Sequence, residues 1–319
     1  MTDFDIDSAR FGKVAVLMGG CSAEREISLK SGAAVLAALV RSGVDAHGVD
    51  AQGDVLDRLR CERFDRAFIM LHGRGGEDGV IQGALEQIGL PYTGSGVLGS
   101  ALGMDKLRCK LLWAGAGLPT PEFALLREGE DHGAVVEGLG LPLIVKPVHE
   151  GSSIGMSRVE RADELHGAWT QARRYDREVI AERWVHGAEY TATILGDQDP
   201  PLIRLETPRE FYDFEAKYEA GTTRYVCPCG LPGEQEHALQ DLARQAFDAA
   251  GASGWGRVDF LLDEQGSPWL IEVNTVPGMT DHSLVPIAAR AAGIDFDALV
   301  LRILETSLMA REQGIGGGG

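Results

Sequence analysis

The chain has 319 residues, 44% of them hydrophobic and 24% charged, with a formal net charge of −18. That length exceeds one ordinary core and calls for two or three packed units of a soluble globular type. The acidic balance excludes nucleic acid and anionic membrane surfaces as main partners, no apolar run nears the roughly 18 residues of a membrane helix, and the polar start MTDFDIDSAR is not a signal peptide.

Val14-Ala15-Val16-Leu17 is a short apolar run that ends in Gly19-Gly20, and a helical stretch follows over 23–40. A second run, Arg66-Ala67-Phe68-Ile69-Met70-Leu71, ends at His72-Gly73 and leads to a helix over 79–88. This βαβα alternation predicts a parallel sheet with helices on both faces. Ligands of such sheets sit beyond the carboxyl ends of the strands, where both Gly-rich turns fall. Residues 97–114 read as one helix, followed by the Gly-Pro break GAGLPTPEF. A β pair over 143–157, a helix over 163–173 and a strand over 178–183 form a small α+β unit. From 187 the chain turns largely β, and a helix over 234–250 precedes a strong hairpin signal over 256–274. The stretch 207–229 is long, polar and aromatic without clean periodicity, which marks a functional loop. The five cysteines contain no CxxC, so free thiols in a reducing cytoplasm are expected.

Several motifs carry chemistry, and each admits a plainer reading. In Gly19-Gly20-Cys21-Ser22-Ala23-Glu24, a strand, a Gly turn and a helix start aim backbone N–H groups at a ligand. Glu24 either complements the helix dipole or holds a cation such as an ammonium. Lys146 sits on the apolar strand Ile144-Val145-Lys146, which is costly unless it serves a charge. The next segment, Gly151-Ser152-Ser153-Ile154-Gly155, lacks Walker A spacing. It is either a hairpin turn or, with Lys146 and Lys106, a loop wrapped around phosphate. Glu182 ends a strand and is either exposed at an edge or reads adenosine. Residues 211–218 are rich in aromatics for a loop, which either fold on themselves or cover a site.

The hairpin is the strongest signal. A turn centred on Gln265-Gly266 pairs Asp259 with Glu272 and Arg257 with Asn274. Side chains alternate faces with period two. Arg257, Asp259, Glu272 and Asn274 then share one face, and Val258, Phe260, Ile271 and Val273 share the other. Opposed carboxylates repel unless something cationic lies between them. A hard cation suits Asp, Glu and an Asn carbonyl, and Arg257 pairing with the acids is the alternative.

Glu272-Val273-Asn274-Thr275-Val276-Pro277-Gly278-Met279-Thr280 resembles the metal hairpin of ATP-grasp ligases. The pattern GGxSxExxxS from Gly19, with the later Leu71-His72-Gly73-Arg74-Gly75-Gly76-Glu77-Asp78-Gly79, resembles the signature of the D-alanine–D-alanine ligase family. The resemblance runs from Lys13 to Glu305. Departures are small: Cys21, Cys229 and Val276 stand where Thr, Ala and Ser are common, and none removes a ligand.

The resemblance implies an α/β fold in three parts: an N-terminal parallel-sheet domain (1–105) and a two-domain α+β ATP-grasp unit (106–186 and 187–319). ATP is then expected between the second and third parts. Asp259, Glu272 and Asn274 would hold two Mg²⁺ ions, or Mn²⁺, with Glu272 bridging. Lys106, Lys146 and Lys217 would contact the phosphates, with Ser152 and Ser153 in the loop over them. Glu182 would lie by the adenine, the backbone at Trp184 and Val185 along its edge, and Glu189 on the ribose. Glu24 would hold the ammonium of a first D-alanine, with His72 near its carboxylate. Arg257 and the Gly278 N–H would face the tetrahedral oxyanion, and Ser283 and Leu284 the carboxylate of the second D-alanine. Tyr218 would close the lid with Ser152 and Glu24. The implied activity is ATP-dependent formation of D-alanyl-D-alanine through an acyl phosphate, for peptidoglycan precursors, by a cytoplasmic homodimer. A D-lactate acceptor is the alternative, and Tyr218 argues against it because ester-forming relatives tend to carry Phe there. A non-catalytic nucleotide-binding module could lose a metal ligand or the lid lysine, whereas the whole set is present.

Overall fold

The computed structural model describes residues 7–130, 132–151, 153–206 and 223–309. Ser152, Lys217 and Tyr218 lie outside the described residues. After a short 3-10 turn (Ser8–Phe11) come β1 (Lys13–Met18), α1 (Arg25–Arg41), β2 (Asp45–Asp50), α2 (Val55–Cys61), β3 (Arg66–Ile69) and α3 (Val80–Gln87). These strands form the predicted parallel sheet in the order β2-β1-β3. The turn after β1 needs left-handed backbone, with Gly19 and Gly20 at φ 77° and 72°, which glycine takes without strain.

Residues 97–114 form two helices where one was expected: α4 (Val97–Met104) and α5 (Lys106–Gly115). Asp105 between them is extended, and its carboxylate accepts from the Arg108 N–H at 2.9 Å. An aspartate caps a new helix better than it continues an old one. Lys106 thereby becomes the first residue of α5.

The central sheet is built from β4 (Phe123–Leu126), β5 (Leu143–Pro147), β6 (Ser157–Val159) and β7 (Val179–Arg183), with α6 (His132–Leu139) and α7 (Leu165–Ala172). Its order is β4-β7-β5-β6, antiparallel throughout. The last sheet, β10-β9-β8-β11-β12, combines β8 (Gly187–Leu195), β9 (Ile203–Glu206), β10 (Arg224–Val226), β11 (Trp255–Asp263) and β12 (Pro268–Asn274). Helix α8 (Gly233–Ala249) packs on it, and α9 (Leu284–Ala291) and α10 (Phe296–Met309) close the chain.

The hairpin register agrees with the sequence where it matters and departs beyond. Arg257 pairs with Asn274 and Asp259 with Glu272, but a bulge then shifts Phe260 onto Leu270. Strict alternation puts Ile271 on the face of Val258, Phe260 and Val273, which the structure buries. Leu270 takes that place, and Ile271 turns to the cavity described below. A bulge re-aims side chains in this way next to functional sites.

Core partners do not follow chain order. Trp113 of α5 is fully buried against the five-stranded sheet and α8, and its indole N–H donates to Ala246 O at 2.9 Å. Val300, Ile303 and Leu304 of α10 join the core of the N-terminal sheet, where Arg66 donates to Ser307 Oγ at 3.0 Å. Among the described residues, no helix is long and apolar enough to cross a membrane.

Candidate active site

A cavity of about 400 Å³ lies between the central and five-stranded sheets. Its apolar walls include Ile144 and Met156 on one side and Leu205, Leu261 and Ile271 on the other. Lys106, Lys146, Ser153, Glu182, Trp184, Val185, Glu189 and Glu272 also line it. An apolar slot with a few converging charges suits a planar base joined to phosphates.

Each polar group is held by a definite element. Lys106, at the start of α5, donates to Glu150 O at 2.7 Å and lies 3.3 Å from Glu272 Oε2. It thus bridges the Gly-Ser loop and the hairpin. Lys146 on β5 is buried beside Glu182 on β7, in a tight ion pair. Ser153 takes φ 59°, which side chains rarely adopt, and it lines the cavity together with Ile154. The Trp184 N–H donates to Pro142 O at 3.0 Å. Glu189 sits on β8 opposite Leu261.

On the hairpin face, Asp259 is 5% exposed and takes both forks of Arg257, at 2.8 and 2.7 Å. Thr191 Oγ1 donates to it at 2.6 Å. Arg257 therefore does pair with one of the two acids, and Glu272 turns to Lys106. Asn274 Oδ1 is buried with no hydrogen-bond partner among the described residues. A buried orphan acceptor needs a donor or a cation. Beside two carboxylates, this oxygen set fits a hard cation.

The substrate-side residues come from distant segments. Glu24 caps the start of α1 without a side-chain cap bond. A Cβ at Gly73 would lie 2.6 Å from its Oε2, and one at Gly151 would lie 3.4 Å from its Oε1. Glu24 thus meets both the histidine-glycine turn and the Gly-Ser loop. The buried His72 donates from Nδ1 to Val276 O at 2.9 Å. Burial lowers its pKa to about 4, so it is neutral at neutral pH. Val276, one of the departures from the family string, supplies this carbonyl from its backbone, while its side chain is buried in the core of the N-terminal sheet. A Cβ at Gly278 would lie 3.0 Å from Ser283 Oγ, which accepts from the Thr280 N–H at 2.9 Å. Leu284 is buried with Ile203, Leu205 and Ala288, so only its backbone N–H, at the start of α9, can meet a carboxylate.

Several residues here escaped sequence reasoning. Lys110 is fully buried and lies 2.6 Å from Glu182 Oε1. Its spacing of four from Lys106, which puts both on one helix face, was the available signal. Ser31 and Thr191 carry no motif of their own, and Glu77 lies in the string 71–79 without an assigned role. Burial and the nearby Glu24 charge raise the Glu77 pKa, although the Gly73 N–H donates to it at 2.6 Å. Among the described residues, one close group of His, Cys, Asp and Glu ligand atoms occurs, at Asp105, His149 and Glu178. Arg108 already joins Asp105 and Glu178 there, at 2.6 and 2.8 Å. The five cysteines are free.

Two family descriptions match the chain: D-ala D-ala ligase N-terminus over 50–95 and D-ala D-ala ligase C-terminus over 112–305. A D-alanine–D-alanine ligase of Nitrosococcus oceani is 63% identical over 306 residues, covering 96% of this chain and 97% of the relative. That of Alkalilimnicola ehrlichii is 64% identical over 307 residues, covering 96% and 98%. The crystal structure of the Bacillus anthracis ligase complexed with ATP is similar at a TM-score of 0.84 and 32% identity, covering 94% of this chain and 99% of that one. Sequence and fold agree, and the chain belongs to the D-alanine–D-alanine ligase family.

Proposed function

We propose that this chain joins two D-alanine molecules to D-alanyl-D-alanine, with ATP converted to ADP and phosphate. One observation supports this most: Lys106 links the phosphate loop to Glu272, and Glu24 abuts the same loop at Gly151. An amino acid held at Glu24 would thus lie beside the γ-phosphate of a nucleotide in the cavity.

In this reading the base lies between Ile144 and Met156 on one wall and Leu261 and Ile271 on the other. Glu182 faces its amino group, the backbone at Trp184 and Val185 its edge, and Glu189 the ribose. Lys106, Lys146, Lys217, Ser152 and Ser153 take the phosphates. Two Mg²⁺ ions, or Mn²⁺, on Asp259, Glu272 and Asn274 would supply neutralising charge to those phosphates. Glu24 binds the ammonium of the first D-alanine, and the neutral His72 lies near its carboxylate without adding charge.

That carboxylate attacks the γ-phosphorus, ADP leaves, and an acyl phosphate forms. The amine of the second D-alanine, oriented through Ser283 and the Leu284 N–H, attacks the acyl carbon. Arg257 and the Gly278 N–H receive the oxyanion, and phosphate leaves as it collapses. Tyr218 is assigned to the lid over Glu24 and Ser152. The family resemblance carries with it a cytoplasmic homodimer and the division at 1–105, 106–186 and 187–319, with α5 and α10 packing across those limits. The test is phosphate release from ATP with D-alanine, L-alanine or D-lactate added in turn. D-alanine alone should support rapid turnover; equal rates with L-alanine or D-lactate would overturn the assignment.

A further inference from the structure

Lys110 is 0% exposed and faces the base of the cavity without lining it. Its ammonium reaches three acceptors: Glu182 Oε1 at 2.6 Å, Thr120 Oγ1 at 2.6 Å and Leu270 O at 3.3 Å. Three protons meet three acceptors, so this lysine has nothing left to offer a ligand. Burying an ammonium is costly unless it is paired and hydrogen-bonded. Its partner, Glu182, is 2% exposed and lines the cavity. The other Glu182 oxygen faces Lys146, which also lines the cavity.

One carboxylate thus stands between two lysines, and the trio carries one net positive charge. Lys110 is caged on the far side by Thr120 and Leu270. Lys146 is the member that can turn toward a ligand. We propose that Lys110 is a positioning residue for ATP: it pins Glu182 as a hydrogen-bond acceptor facing the adenine amino group and leaves Lys146 available to the phosphates. This rests on the reading of the cavity as the nucleotide site. Burial opposes charge on Glu182, yet the charges of Lys110 and Lys146 hold its carboxyl below the usual range. Without Lys110, Glu182 either draws Lys146 into a closed one-to-one pair or takes up a proton and becomes a donor. Both outcomes take the fixed acceptor away from the adenine amino group, so both weaken ATP and lower the preference for a 6-amino over a 6-oxo purine.

The test is a double-mutant cycle of Lys110→Met and Glu182→Gln, with KM measured for ATP, inosine triphosphate and D-alanine. Lys110→Met should raise the ATP KM about 10- to 100-fold, the scale of a hydrogen bond to a charged group. It should lower the preference for ATP over inosine triphosphate and leave the D-alanine KM nearly unchanged. In the Glu182→Gln background the same change should have little further effect, because coupled residues are non-additive. An equal loss for both nucleotides, or the full Lys110→Met effect in both backgrounds, would reduce Lys110 to a structural tie and overturn the proposal. If Glu182→Gln itself leaves the purine preference intact, the placement of Glu182 against the base fails instead. Should Lys110→Met not fold, Lys110→Gln, which keeps a donor and loses the charge, takes its place in the cycle.

Discussion

Ser31 Oγ accepts a hydrogen bond from the Met279 N–H at 3.1 Å, joining residues 248 apart in the chain. The bond ties the buried face of α1 to the loop that carries Gly278. Ser31→Ala would leave the Met279 N–H without this acceptor, at a cost of about 1–3 kcal/mol. Because Gly278 is the proposed oxyanion donor, turnover should fall while the ATP KM changes little. Denaturant unfolding and steady-state kinetics check both parts. Wild-type turnover in a destabilised variant would separate this bond from catalysis.

Glu272→Gln should reduce ADP formation at saturating Mg²⁺ by about 100-fold or more, with the fold intact. Its carboxyl is partly exposed and its cationic neighbour, Lys106, keeps the Glu150 carbonyl. Asp259→Asn should lose activity and stability together, because the nearly buried Arg257 loses its charged partner. A chelator should silence the wild type reversibly. Near-normal turnover of Glu272→Gln would remove the hairpin from metal binding.

Glu24→Gln should weaken D-alanine about 10- to 150-fold, the scale of one ammonium–carboxylate contact. ATP, proposed to bind in the cavity lined by Lys146 and Glu182, should be affected far less. Binding of each ligand is measured separately. A loss confined to ATP would move Glu24 into the nucleotide site.

His149 lies at the root of the Gly-Ser loop, with Nδ1 2.8 Å from Asp176 and Nε2 3.2 Å from Asp105. Hydrogen bonds to Asp105 and Asp176 raise its pKa from 6.5 to about 9. A raised folded-state pKa stabilises fully below the unfolded value and is lost as pH rises through the folded one. Glu178 and Arg108 also face this cluster. The gap in thermal midpoint between wild type and His149→Gln should therefore be widest below pH 6.5 and shrink as pH rises from 6.5 to about 9. A gap independent of pH over that range would show that His149 contributes packing rather than charge.

The sequence by itself determined the parallel sheet, the glycine turns at its strand ends and the opposition of Asp259 to Glu272. Those features follow from short-range rules: alternation with period two, left-handed turns and apolar runs of strand length. It also displayed the family strings around Glu24, Lys146 and Glu272. It did not reveal the break at Asp105 within an apolar stretch, where one side-chain cap outweighed helical periodicity. Nor did it reveal the bulge that sends Ile271 to the cavity and Leu270 to the core. Only the tertiary structure decided that Arg257 clasps Asp259, that Lys110 stands behind Glu182 and that α10 returns to the first sheet. The pairing of Lys110 with Glu182 and the return of α10 depend on which distant segments pack together, and the Arg257 clasp on which of two facing acids the arginine finds. Burial makes such pairing obligatory, while spacing along the chain leaves the partner's identity open.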